Sequence, residues 1–482
     1  MDPLKVKESQ LLQSERLPAE AVQRFVAAFR SRDDWGLFRI NPYRFARQEG
    51  FDDDLALDLF IHAARHGLVD FSYDMICPRC GGVAHSHHEL DEVEAQEFYC
   101  SLCTASSPAD LDDQVEVTFS VNSAVRKLAL NPLENIEAYS RYHFSENYVI
   151  SPQLQALRKK LMRHLLVLQP GQNRRVRLQQ GRFTTFQFVS MDTNTSTLVH
   201  LNRPGGNFDS AAVLAFSNEG FRHKELQSTK TDCEITVQNE TRRPAGFLLT
   251  TPDLDAIMEV VRQHPTKIQR FLTAKDLLNN QTFRELFKIQ NLSANLNLNI
   301  RSLTIMFTDL RGSTEMYDRA GDVFAYSLVQ EHFRILTDCA RKHHGAIIKT
   351  MGDAIMATFS TPIDGLRAAL DMVREIAAMN ERVKKDGFEI GLKVGLHEGP
   401  ALAVLRDERL DYFGQTVNIA ARVQGLASAG EIWLTEPVAS APETRNLMAV
   451  ERLGSESRHA HLKGVGAETL VYRIYSPQVS AL

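Results

Sequence analysis

Two Cys-x-x-Cys pairs, Cys77 and Cys80 in CPRC and Cys100 and Cys103 in CSLC, lie nineteen residues apart, and no other feature limits the local fold so tightly. That interval lets two knuckles close on one ion. Four thiolates at about 2.3 Å complete a tetrahedral Zn²⁺ shell with no position left for water, so the expected role is structural. Binding would supply folding free energy to a segment poor in apolar residues. The competing reading is a pair of redox dithiols, but neither pair sits in a strand-to-helix redox context. His85, His87 and His88 lie between the pairs and could replace a cysteine, although solvated positions are expected for them. Cys233 and Cys339 have no partner at useful spacing and read as ordinary thiols. Six cysteines are too few for a disulfide scaffold, so paired ones point to metal in a reducing compartment.

At 482 residues the chain is too long for one core and implies about three domains. Its formal charge of -5 argues against nucleic acid as the main partner. No window reaches the roughly 18 to 20 apolar residues that cross a bilayer, and MDPLKVKESQLLQSER lacks a signal-peptide core, so no membrane association and a cytoplasmic location are expected.

No repeat or low-complexity tract is present, and changes in periodicity mark the divisions. Residues 1–76 read as helical and winged-helix-like: NPYRFARQEG and DLALDLFIHAARHGL as helices, then the strand VDFSYDMI. The second helix carries Asp54 and Asp58 with only His62, Arg65 and His66 as possible cations. That is poor equipment for meeting phosphates, so packing or dimerisation is expected rather than DNA binding. Residues 77–105 form the zinc ribbon and 106–159 a connecting region. Between 160 and 250, β-type runs separated by Gly, Pro, Asn and Asp read as a β-sandwich. Residues 251–300 read as a helical linker or transducer opening at Thr251 and Pro252, with apolar residues at helical spacing through Phe287. From 301 to 476 the pattern is α+β with a buried sheet.

That last stretch carries chemistry. Asp309 ends the apolar run LTIMFTD and is followed by LRGST, in which Gly312 allows close backbone approach and Ser313 and Thr314 can open a helix presenting free N–H groups to phosphate. Asp353 occupies the turn after IIKTMG. If that hairpin lies beside the first strand, the two carboxylates converge and suit Mg²⁺ shared with substrate phosphates. In DYFGQTVNIAARVQG, a helix starting near Thr416 would set Asn418 and Arg422 on one face.

FTDLRGST, KTMGDAIMATF, VGLHEGP, DYFGQTVNIAAR and LKGVG together resemble the catalytic domain of class III nucleotidyl cyclases, over about residues 300 to 476. The N-terminal part is similar, more loosely, to a winged-helix and zinc-ribbon module found ahead of bacterial cyclase domains. The resemblance implies a ferredoxin-like α/β catalytic domain with Asp309 and Asp353 as ligands of two Mg²⁺ (or Mn²⁺). It further implies Lys349 and Asp411 as purine readers, Asn418 as the ribose-orienting residue, Arg422 as the transition-state donor and Lys463 as a triphosphate contact. A Lys donor and an Asp acceptor match the ring nitrogen and exocyclic amine of adenine, so ATP is expected over GTP. The expected activity is adenylate cyclase, giving 3′,5′-cyclic AMP and pyrophosphate in a homodimer regulated by its N-terminal domains. The alternatives are a guanylate cyclase or a zinc-containing nucleotide-sensing regulator without turnover. Glu398 departs from the small polar residue that many relatives carry at its position.

Overall fold

The structure, a computed structural model, describes residues 2–88, 97–108, 112–287, 298–311, 322–384, 390–406, 409–466 and 468–475. Four helices open the chain: α1 (Pro3–Leu11), α2 (Ala19–Ser31), α3 (Pro42–Glu49) and α4 (Asp53–Arg65). Local chemistry sets the turn between the last two. Asn41 accepts from the N–H groups of Tyr43 and Arg44, Pro42 fits the first turn, Gly50 ends α3 at φ +69°, and Asp52 caps α4 through Asp54 and Leu55. Phe25, Phe45 and Phe60 meet edge to face inside this layer, with centroids 5.0–5.4 Å apart.

The helices cover an antiparallel sheet in the order β17-β5-β1-β2. Its strands are β1 (Val69–Ile76), β2 (Val83–His87), β5 (Val115–Val121) and β17 (Leu272–Thr273). The two-strand ribbon β3 (Glu97–Cys100) and β4 (Ala105–Pro108) adjoins it. Residues 106–159 are therefore more than a connection. They supply the sheet strand β5, then α5 (Ile136–His143), the short strand β6 (Tyr148–Val149) and α6 (Pro152–Leu161).

Two sheets around one core form a β-sandwich next. One sheet, in the order β13-β10-β9-β15-β7, uses β13 (Glu225–Gln227), β10 (Thr195–His200), β9 (Thr185–Ser190), β15 (Ala245–Thr250) and β7 (Met162–Leu168). The other, β12-β11-β14-β8, uses β12 (Gly220–Phe221), β11 (Ala211–Ser217), β14 (Asp232–Asn239) and β8 (Asn173–Gln179). Along β14 the buried residues Cys233, Ile235, Val237 and Asn239 alternate with half-buried ones, as period-2 side chains require. Phe188, Leu214, Ile235 and Phe247 fill the interior.

Residues 251–300 depart from the helical reading. The segment breaks into α7 (Leu254–Gln263), β16 (Lys267–Ile268), β17, α8 (Ala274–Leu278) and α9 (Gln281–Leu286). β16 pairs back to β6 and β17 to β5, pairings between distant residues that helical periodicity does not reveal.

The C-terminal domain begins with β18 (Leu298–Arg311), α10 (Asp322–Lys342), β19 (Gly345–Met351), β20 (Ala354–Phe359), α11 (Pro362–Val383) and β21 (Gly391–Arg406). Its order β19-β20-β18-β21, all antiparallel, is the ferredoxin-like βαββαβ arrangement. β23 (Ile432–Thr435), β25 (Thr469–Tyr475) and β24 (Gly454–Ala460) extend the sheet, β22 (Arg409–Phe413) folds back on β21, and α12 (Gln415–Gln424), α13 (Glu436–Ser440) and α14 (Pro442–Val450) complete the domain. Met306 and Leu310 of β18 pack under α10 and α11, while Ile305 and Phe307 enter the core shared with α12 and the N-terminal module. Burial on both faces explains the unbroken apolar run of LTIMF.

α8 and α9 clasp this domain. Lys275 Nζ reaches Ser302 O at 3.3 Å and Ser360 O at 3.4 Å, Thr358 Oγ1 donates to Asn279 Oδ1 at 2.6 Å, and Ile347 N donates to Gln281 Oε1 at 2.8 Å. α4 also faces the C-terminal domain, with Asp54 3.2 Å from His344. No helix among the described residues is long and apolar enough to cross a membrane.

Candidate active site and cysteine cluster

The four cysteines meet. Cys77 Sγ lies 3.9 Å from Cys103 Sγ and Cys80 Sγ 3.8 Å from Cys100 Sγ, and all four sulfurs fall within 4.8 Å of one another. An ion about 2.3 Å from each sulfur of a tetrahedron separates them by about 3.8 Å, whereas a disulfide needs about 2.05 Å. The donor set fits Zn²⁺. No histidine joins this group, the one such cluster among the described residues. Gln187 Nε2 donates to Ser101 O at 2.7 Å, and Ser101 N donates to Asn194 Oδ1 at 2.9 Å, so the cluster is bolted to the sandwich.

In the C-terminal domain, strand register sets the carboxylates. β18 pairs Thr308 with Ile355 of β20, so Asp309 reaches the sheet end at which the β19–β20 turn carries Asp353. Gly352 makes that turn at φ +67°, with open space around it. Buried His332, on α10, contacts the Asp353 backbone oxygen from Nε2 at 3.1 Å. Burial pushes its pKa down, so the neutral ring donates through Nε2 and fixes the turn. Across β18, Asp309 is opposite Lys393, whose ammonium touches Asp309 Oδ2 at 2.8 Å. Lys393 was not among the expected residues; only the pairing register reveals it. A cation already rests on this carboxylate, and a divalent metal bound there would have to compete with it. Lys393→Gln is therefore expected to strengthen Mn²⁺ binding by about five-fold, the ratio equivalent to about 1 kcal/mol for a partly exposed pair. Calorimetric titration checks this.

A register shift between Ile347 and Lys349 in β19 sets Lys349 opposite Met356, which packs in the core shared with α12. Lys349 Nζ meets Asp411 Oδ2 of β22 at 2.6 Å. The two expected purine readers thus form one donor–acceptor pair within a single chain. Behind them, Arg284 of α9 donates to Leu410 O at 2.7 Å, a positioning residue that nothing in the local pattern signals.

α12 begins after Gly414 at φ +140° and lies against β21. A Cβ at Gly395 would come 2.1 Å from Gln424 N, so only glycine allows this approach. Thr416, Ala420 and Val423 of α12 are buried, and Asn418 and Arg422 are exposed. At about 100° per residue these last two point away from the buried stripe. Lys463 stands exposed in the turn before β25. Glu398 accepts from Ser302 Oγ, at the junction with the N-terminal module. Gly312, Ser313 and Thr314 lie outside the described residues.

Comparison with known proteins agrees with this division. Residues 298–473 match the Adenylate and Guanylate cyclase catalytic domain, and residues 7–285 match a Family of unknown function (DUF5939). "Adenylate cyclase 2" of Rhizobium meliloti (strain 1021) is 32% identical over 132 residues, 25% of this chain and 36% of that protein. An "Adenylate cyclase" of Lachancea kluyveri is 26% identical over 306 residues, 57% of this chain and 16% of that protein. The chain thus spans less than half the length of these relatives. The solved adenylyl cyclase CyaB from P. aeruginosa aligns with 20% identity over 37% of this chain and 95% of that one, at a TM-score of 0.33. The first family match runs across all the N-terminal stretches and more than half of the chain; the chain belongs to the DUF5939 family and carries a class III adenylate and guanylate cyclase catalytic domain.

Proposed function

We propose that the chain is an adenylate cyclase that converts ATP to 3′,5′-cyclic AMP and pyrophosphate as a homodimer, with its N-terminal module regulating the rate. The carrying observation is the outward direction of Asn418 and Arg422. They sit on the side of α12 turned away from the sheet that bears Asp309, so one chain cannot direct both halves of the set at one triphosphate. A two-fold pairing supplies the missing half twice. Phe413 and Met351, 70% and 41% exposed, flank Asp411 and Asp353 and suit coverage by a second copy.

Asp309 and Asp353 would hold Mg²⁺ or Mn²⁺, a donor set of two carboxylates with room for water and phosphate oxygens. Bound there, the ions would acidify the ribose 3′-hydroxyl and neutralise the triphosphate. Lys349 and Asp411 hold the adenine edge; Asn418 orients the ribose so that its 3′-oxygen lines up with the α-phosphorus. Arg422 donates to the charge gathering on the α-phosphate as that oxygen attacks and pyrophosphate leaves. Four cysteines hold structural Zn²⁺ beside this machinery, not within it.

The test is purified protein with ATP or GTP and Mg²⁺ or Mn²⁺, followed by product identification. Cyclic AMP from ATP is expected; cyclic GMP as the main product, or nucleotide binding without pyrophosphate, would overturn the reading. The double change Lys349→Glu with Asp411→Cys should move the ATP:GTP ratio of kcat/KM toward GTP by about 100-fold, the size expected when polar readers are mismatched. Unchanged ATP selectivity would defeat the purine assignment.

A further inference from the structure

Asp411 lies on β22 between two residues that are held from the N-terminal side of the chain. Arg284 of α9 donates to Leu410 O at 2.7 Å, and the Tyr412 hydroxyl donates to Asn279 Oδ1 at 3.4 Å. Its partner Lys349 is held in the same way: Ile347 N, two positions earlier on β19, donates to Gln281 Oε1 at 2.8 Å. Both strands that carry the pair are thus fixed by residues 279–284. Those residues fall within the stretch matched by the family of unknown function, ahead of the catalytic domain.

Asn279 is saturated. It is fully buried; its Nδ2 donates to Lys275 O at 3.0 Å and to Ser360 Oγ at 3.4 Å, and its Oδ1 accepts from Thr358 Oγ1 at 2.6 Å as well as from Tyr412. A buried amide matched at both ends locks α8, β20 and β22 together, since a shift of any one would leave buried polar groups unpaired. Arg284 adds charge. Burial lowers its pKa while Tyr412 and Asp411 raise it, so this guanidinium and the Asp411 carboxylate feel each other. Asp411 therefore answers to two cations, Lys349 in contact at 2.6 Å and Arg284 bonded to the neighbouring carbonyl. A carboxylate held in one direction is the acceptor that an adenine amine needs.

The clasp is also tied to the N-terminal sheet. Leu272 and Thr273 pair with Val117 and Glu116 of β5, and Thr273 Oγ1 caps α8 by accepting from Asp276 N at 3.0 Å. Its contact with β18 is Lys275 on Ser302 O, toward the opposite end of that strand from Asp309. We propose that Asn279, Gln281 and Arg284 are positioning residues through which the N-terminal module sets affinity for the nucleotide base, with little effect on the chemical step, a role that rests on Lys349 and Asp411 being the purine readers.

Arg284→Met keeps the bulk of the side chain and removes the charge and the donor. In the full chain it should raise the KM for ATP by about ten-fold while kcat changes by less than about three-fold, and it should lower the ATP:GTP ratio of kcat/KM. Inhibition by tripolyphosphate, which has no base, should match wild type. A scaffold that is only loosened would weaken ATP and tripolyphosphate together. Gln281→Leu, at the β19 edge, is the second variant, with a smaller shift in the same sense, and Arg284→Lys, which keeps a charged donor, should recover most of the ATP affinity.

Unchanged KM for ATP in the folded variants, an equal loss of tripolyphosphate inhibition, or a fall in kcat at constant KM would each overturn the proposal. Calorimetric binding of ATP and of tripolyphosphate makes the same comparison without turnover. Weakening confined to ATP in a chain that makes no cyclic AMP keeps the positioning role and defeats the cyclase reading; a wild-type chain that binds tripolyphosphate as tightly as ATP defeats the purine assignment and this role with it.

Discussion

Asp309→Ala and Arg422→Ala are each expected to be inactive alone, and a mixture of the two is expected to recover about a quarter of wild-type activity. In the proposed homodimer each mutation removes a group from both sites, and with Asp309 as the proposed metal carboxylate and Arg422 as the proposed transition-state donor, each loss should cost about 100-fold or more. In a mixed dimer one site lacks both groups, while the other takes Asp309 from one chain and Arg422 from its twin. Random exchange makes half the dimers mixed, and each has one good site of two. The measurement is cyclic AMP formation after co-expression or subunit exchange. A mixture as inactive as its components would mean that both residues serve a site within one chain, which the outward face of α12 opposes.

Removal of metal from the cysteine cluster should have the largest effect on stability. Structural Zn²⁺ in four-thiolate sites carries on the order of 10 kcal/mol of binding free energy, comparable to the whole stability of a domain. One zinc per chain is expected by elemental analysis. Cys100→Ser, or strong chelation, should introduce a separate low-temperature unfolding transition and loosen the Ser101 contacts with Gln187 and Asn194 of the sandwich. Metal-free wild-type protein with unchanged melting would refute the zinc assignment. The proposed Asp309 site gives an internal contrast: excess Mg²⁺ should restore turnover there without removing the added low-temperature transition.

The sequence made parts of this architecture legible for a physical reason. Asn418 and Arg422 are four apart on one helix, so local periodicity sets their shared face, whereas Asp309 near the end of β18 and Asp353 in the β19–β20 turn come to one sheet end through the β18–β20 register. The cysteine pairs likewise carry their own spacing. Sequence patterning missed what depends on distant pairing. Lys393 meets Asp309 only because β18 and β21 adopt one register, and Leu272 and Thr273 look like part of a helical stretch until β5 accepts them as an edge strand. Residues 106–159 looked like a connection because β5 is a single strand whose neighbours in the sheet lie on either side in sequence. Gly395 and Gly399 did leave a signal: two glycines four apart in VGLHEG mark where a helix lies close to a strand, over Gln424 and Thr416.

The α8–α9 clasp changes how an isolated catalytic fragment should be judged. A fragment starting at residue 298 would leave Thr358, Tyr412 and the edge of β19 without Asn279 and Gln281, and would drop Arg284 from behind Leu410. Low output from such a fragment would reflect a damaged scaffold as readily as a missing activator, whereas one that starts ahead of Thr273 keeps that support.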